Sequence, residues 1–143
     1  MVYDRANRYC EYCLISETLA LSSHQIDHII AEKHSGETVE TNLALSCSIC
    51  NKNKGSDIAS IDPETGEVVR LYNPRKDRWE DHFKLQTESG TIQPLTAIGR
   101  VSVRLLQINR AECLTQRKLL SKLQLLKKYD NMFFAKSLML IID

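Results

Sequence analysis

Cys10-Glu-Tyr-Cys13 and Cys47-Ser-Ile-Cys50, the second running straight into Asn51-Lys-Asn-Lys54, decide how this chain folds. Each Cys-x-x-Cys clip turns two sulfurs toward one point, and two clips supply the four thiolates of a closed, tetrahedral structural zinc site. Residues 14–46 then form a loop pinned at its base. The stretch before Glu40 has only scattered apolar residues among many polar ones. That is too little core to fold unaided, so a bound metal is expected to contribute folding free energy directly. Disulfides are the other use of cysteine, but the first ten residues are polar and charged and carry no apolar leader segment. A reducing, cytoplasmic setting with zinc thiolates is therefore expected. The fifth cysteine, Cys113, falls in a helical pattern and reads as an ordinary buried or half-buried thiol.

A chain of 143 residues is expected to make one compact unit, read here as three stretches. Residues 1–60 hold the cysteine-framed core: a strand near Ser23–Ile30, a turn at Ser35-Gly36, a strand over Leu43–Ser46, the second clip, and a short helix from about Ile49 to Ser56. Residues 61–95 carry hairpin signals, with Pro63-Glu-Thr-Gly66 and Ser89-Gly90 as turns between β-prone runs. Asn73-Pro74 breaks the chain before a turn of helix at Asp77–Phe83. Residues 96–143 read as helices, the first capped by Thr96 and running to about Ile108, the second capped by Asn109 and running to about Lys128. Asp130-Asn131 marks a break before the tail. The expected class is α+β.

The formal net charge of +1 hides an asymmetry. Residues 1–60 carry five Lys/Arg against eight Asp/Glu, residues 61–99 five against seven, and residues 100–143 nine against three, so the net values are −3, −2 and +6. Arg100, Arg104, Arg110, Arg117, Lys118, Lys122, Lys127 and Lys128 form a stripe suited either to tracking a phosphate backbone or to coating a solvated helix face. No run reaches the roughly 18 apolar residues of a membrane span. The apolar tail from Met132 is interrupted by Lys136, and a core or partner-facing helix fits it better.

The pinned loop holds Asp27-His28 and Asn42, and the clip is followed at once by Asn51. Hydrolysis of a phosphodiester needs an activated water, a cation for the charge on the transition state, and stabilisation of the departing oxygen. Magnesium and manganese prefer oxygen ligands, which points to the Asp27 carboxylate and the Asn51 amide oxygen. His28, with an ordinary imidazole pKa near about 6.5, suits a general base. Neighbours in an extended strand point oppositely, so Asp27 and His28 act together only where the strand ends or bends.

The run His24-Gln-Ile-Asp27-His28-Ile-Ile30, then Thr41-Asn42 through Cys47-Ser-Ile-Cys50-Asn51-Lys-Asn-Lys54-Gly55, resembles the HNH endonucleases, in the branch whose ββα-metal, treble-clef-like core is braced by a four-cysteine zinc. The resemblance implies His28 as general base, Asp27 as metal ligand, Asn42 as the residue that orients the base or holds the loop, and Asn51 as second metal ligand. The last position is often histidine in that family and is asparagine here. Leu71-Tyr-Asn-Pro-Arg-Lys-Asp-Arg-Trp79-Glu-Asp-His82-Phe83 and Gly90-Thr-Ile-Gln-Pro-Leu-Thr-Ala-Ile-Gly-Arg100 are similar to the downstream region of small stand-alone bacterial members.

Around this centre His24, His34 and Lys54 are candidate substrate contacts, each with a plainer alternative: a structural histidine, a loop histidine and a solvated lysine. His82 and Trp79 read as packing residues. The expected function is a DNA endonuclease, RNA being an open alternative, with structural zinc and catalytic magnesium or manganese. The leucine-bearing C-terminal helices offer a homodimer surface. The rivals are a non-catalytic zinc treble-clef module that binds nucleic acid, and a zinc scaffold that binds a partner protein.

Overall fold

Among the described residues, short β-prone runs separated by turn residues give three two-stranded antiparallel sheets rather than one large one. The computed structural model describes residues 1–123. The extension of the last helix to Lys128, the basic residues Lys127 and Lys128, the break at Asp130-Asn131 and the apolar tail lie outside the described residues. Strand β1 (Gln25–His28) pairs with β2 (Leu43–Ser46), setting Asp27 opposite Ala44 and His28 opposite Leu43. A four-residue N-terminal helix, α1 (Val2–Arg5), packs Val2 against the buried Leu45 of β2. Helix α2 (Ser48–Lys54) follows the second clip, so the strand–strand–helix order expected of a zinc-braced core is present.

The hairpins form where the turns predict them. Strands β3 (Ala59–Ile61) and β4 (Val68–Arg70) flank the Pro63–Gly66 turn, and β5 (Phe83–Gln86) and β6 (Thr91–Pro94) flank Ser89-Gly90. The turn of helix after Asn73-Pro74 is α3 (Trp79–His82). Buried Asp62 caps the first turn, accepting from Glu64 N and Thr65 Oγ1, and takes both arms of Arg100 at 2.9 Å. Arg100 lies on α4 (Ala97–Leu105), whose N-cap Thr96 accepts from Gly99 N as predicted. Gly99 itself is a close approach, since a Cβ there would lie 2.3 Å from His82 O.

Two expectations about the helices are corrected. Helix α4 ends at Leu105, because Gln107 turns to φ 50° and breaks the run. Asn109 does not cap the last helix, α5 (Ala111–Lys122); its amide accepts from Ile92 N at 2.8 Å and donates to Ile92 O at 2.9 Å, taking the place of a neighbouring strand beside β6. Arg110 is the N-cap residue instead.

One apolar cluster draws on all three stretches of sequence: Tyr9, Tyr12, Leu14 and Ile15 from the first clip, Tyr72, Trp79 and Phe83 from the middle, and Leu106, Ile108 and Leu120 from the end. The four clip cysteines sit inside this cluster, not on its rim. Trp79 packs on Phe83 at 5.2 Å between ring centroids, the anchoring role its sequence predicts. His82 sits edge-on to Tyr72 and accepts from or donates to Thr96 Oγ1 at 2.6 Å, also a packing role.

Candidate active site and metal centre

Each clip is a tight turn that aims its sulfurs inward. In the first, Leu14 adopts φ 67° and its N–H returns to Cys10 O at 3.0 Å, while Cys10 N donates to Ile15 O at 2.9 Å. In the second, Cys47 is the N-cap of α2 and its sulfur accepts from Cys50 N at 3.4 Å. All four sulfurs lie within 4.8 Å of one another and all are buried; Cys13 and Cys47 are 3.7 Å apart. Sulfurs around a zinc at Zn–S of about 2.3 Å are roughly 3.8 Å apart in a tetrahedron, so donor type, number and spacing all fit. Burial pushes the Cys10 and Cys13 thiols up, while S–H donors on Cys10, Cys13 and Cys50 pull Cys47 down.

Beside this centre, β1 and α2 face each other in two rungs. Gln25 and Asp27 share one face of the strand, and Asn51 and Lys54, three apart, share one face of the helix. Asn51 Nδ2 donates to Gln25 Oε1, and Lys54 Nζ lies 3.2 Å from Asp27 Oδ2. Lys54 is buried and also donates to His28 O at 2.9 Å. This corrects the solvated alternative for Lys54: it is an internal cation that fixes the end of β1. Asp27 Oδ2 is buried, with the Lys54 ammonium as the cation beside it. Burial pushes the Asp27 carboxyl up, with Lys54 and His28 pulling partly back. Asn51, donating through its nitrogen, keeps its carbonyl oxygen for another partner. Both oxygens suit a hard divalent cation by type.

His28 closes the strand and turns to the opposite side, where its Nε2 meets Thr38 Oγ1 at 2.8 Å and Glu32 Oε1 at 3.8 Å. Thr38 is held there by a latch. Asn42 Oδ1 accepts from Ile30 N at 2.9 Å, and its Nδ2 donates to Ile30 O at 2.9 Å and to Glu37 O at 2.8 Å. Asn42 therefore ties the two ends of the loop together and touches His28 only through the chain. Gly36 makes the latch possible, because a Cβ there would fall 1.7 Å from Ile30 O.

The remaining candidates separate. His24 is buried, with Nε2 3.0 Å from Ile15 O and its N–H on Glu17, so it braces the first clip and does not line a substrate surface. His34 is exposed in a 3-10 turn over Glu32–His34. The basic stripe breaks up: Arg100 pairs with Asp62, Arg110 points at cysteines, and Arg117 is fully buried, leaving Arg104, Lys118 and Lys122 exposed among the described residues. Cys113 is buried as predicted, against Cys13.

Sequence reasoning missed Gln25 and Thr38, and it read Arg110 only as part of the basic stripe. Gln25 had a signal, being two before Asp27 in a strand. Thr38 had none, since only the closed loop brings it to His28.

The family model described as HNH endonuclease matches residues 10–57, from the first cysteine to just past α2. No curated protein matches the chain, and no solved structure does.

Proposed function

We propose that the HNH endonuclease segment at residues 10–57 makes this protein a metal-dependent DNA endonuclease, with His28 as general base and Asp27 and Asn51 as ligands of a catalytic magnesium or manganese. The observation that carries the reading is the buried Asp27 oxygen near the end of β1, where the strand stops at His28 and the ring of that histidine is already held by Thr38. In the tautomer whose Nε2–H donates to Thr38 Oγ1, Nδ1 of His28 is the proton acceptor for an attacking water. Asn42 acts as a positioning residue by holding the loop that carries Thr38. A bound divalent ion supplies charge neutralisation at the phosphate and the departing oxygen. Lys54 is close enough to share the Asp27 charge, so the ion either displaces it or binds beside it.

Structural zinc on Cys10, Cys13, Cys47 and Cys50 supports this arrangement by pinning the two ends of residues 14–46 together at the start of α2. The cell compartment proposed is the cytoplasm; among the described residues no helix is long and apolar enough to cross a membrane. A homodimer through the C-terminal helices remains part of the proposal, with Leu119 and Leu123 exposed on the described part of that surface.

One observation favours the binding-only rival: the Lys54–Asp27 ion pair already neutralises the carboxylate without a second metal. Titrating manganese into His28→Ala and into His28→Ala combined with Asp27→Asn separates the two. Binding beyond one zinc in the first protein and its loss in the second supports the enzyme; no binding to either favours the rival.

A further inference from the structure

Among the described residues Arg117 is the largest fully buried side chain. Its guanidinium donates to Gly90 O at 2.6 Å, Cys13 O at 2.7 Å, Ile108 O at 2.8 Å and Asn109 Oδ1 at 3.0 Å. Every acceptor is neutral, and among the described residues no carboxylate pairs with it. A buried guanidinium ordinarily has an anion beside it, because an uncompensated buried charge costs several kcal/mol. The bond to the Cys13 carbonyl sets Arg117 beside the cysteine cluster.

Arg110 makes the same point more directly. Its two terminal nitrogens lie 3.3 Å from Cys47 Sγ and 3.9 Å from both Cys13 and Cys50 Sγ. Its Nε is 3.0 Å from Glu112, a largely exposed carboxylate screened by solvent. Arg110, Cys113 and Arg117 are spaced three and four apart, so they share one face of α5. That face is turned to the sulfurs.

A divalent ion on four thiolates is a net dianion, and Arg110 and Arg117 together carry two positive charges. We propose that Arg110, Cys113 and Arg117 form the outer shell of the zinc centre, and that α5 docks on the nuclease core because the metal is bound. The C-terminal helix is then part of the zinc site, and its two inward arginines serve sulfur, not nucleic acid. Outer-shell partners tune metal affinity by about 10–100-fold in comparable sites. The inference rests on zinc at the four cysteines and not on cleavage chemistry, so loss of nuclease activity bears on neither side of it.

The test uses the full chain loaded with zinc, and competition with a chromophoric chelator gives zinc affinity and release rate. Arg110→Gln is expected to weaken zinc at least tenfold, and Arg110→Lys, which keeps the charge, to recover most of that loss. Arg117→Met should behave like Arg110→Gln. Arg110 also bonds the carbonyls of Leu106 and Gln107, just past the end of α4; because zinc binding is coupled to folding, the urea stability of each zinc-free variant is measured beside its affinity, and only a fall in zinc affinity larger than that stability change counts for the outer shell. Hydrogen exchange over Ala111–Lys122 should be slow with zinc and fast after chelation. Zinc affinity within twofold of wild type in Arg110→Gln, or α5 amides equally protected in zinc-free protein, overturns the proposal. If Arg117→Met does not fold, the Arg110 pair decides.

Discussion

Replacing Gly36 by alanine tests whether the latch over the candidate active site is what sets His28. The added methyl would sit 1.7 Å from Ile30 O and 2.9 Å from Asn42 Nδ2, and the nearest obstruction is backbone, so the loop must move by about 1.5 Å to restore ordinary contact. A shift of that size opens the three Asn42 bonds, now 2.8–2.9 Å. At about 0.5–1.5 kcal/mol net each, their loss costs roughly 2–4 kcal/mol. For a domain of this size that lowers Tm by roughly 6–16 °C. Thermal melting of the zinc-loaded protein reads the cost. Asn42→Ala removes the same bonds from the other side, so the double variant should be scarcely less stable than either single one. Thr38 lies between Gly36 and Asn42, so both variants should also slow cleavage by freeing the hydroxyl that orients the His28 ring. Gly36→Ala melting within about 1 °C of wild type, or strictly additive losses, would refute the latch.

Two other perturbations probe the frame. Cys47→Ser should lose zinc and several kcal/mol of stability, checked by metal content and urea unfolding, since loss of a structural metal is among the few large single-residue effects. The hydrogen bonds from Arg100, outweighing the upward push of burial, hold the Asp62 carboxyl below the usual carboxylate range. Its stabilising contribution is therefore full above the unfolded value of about 3.9 and is lost as pH falls through the lower folded value. Wild type should outlast Asp62→Asn in urea at pH 6, and the gap should close on acidification below about pH 4. A gap that stays constant with pH would mean the carboxylate charge is not what ties the β3–β4 turn to α4.

Local chemistry was legible where it is encoded locally. The two clips, the turns at Pro63–Gly66 and Ser89-Gly90 and the Thr96 cap all depend on residues a few positions apart, and all form where the sequence places them. What escaped was long-range pairing. Nothing near Lys54 announces that it will be buried against a carboxylate from another element, and a lysine on a short polar helix ordinarily faces water. Arg117 sits in a run rich in lysine and leucine, where its spacing from Arg110 and Cys113 is a helix face but not visibly an inward one. Asn109 has the composition of a helix cap, and it is diverted because β6 offers an unpaired backbone edge. For the site, residue types and order were readable, while the partners that orient them, Thr38 and Gln25, follow from loop closure and strand register.

Nicking of supercoiled plasmid, with magnesium, with manganese and with EDTA, beside His28→Ala, addresses the central claim most directly. The account predicts conversion to open circle only with a divalent ion, abolished in a His28→Ala protein that keeps its zinc and melts near wild type. Zinc-loaded protein that nicks with no metal at all, or His28→Ala that nicks as fast as wild type, would contradict it.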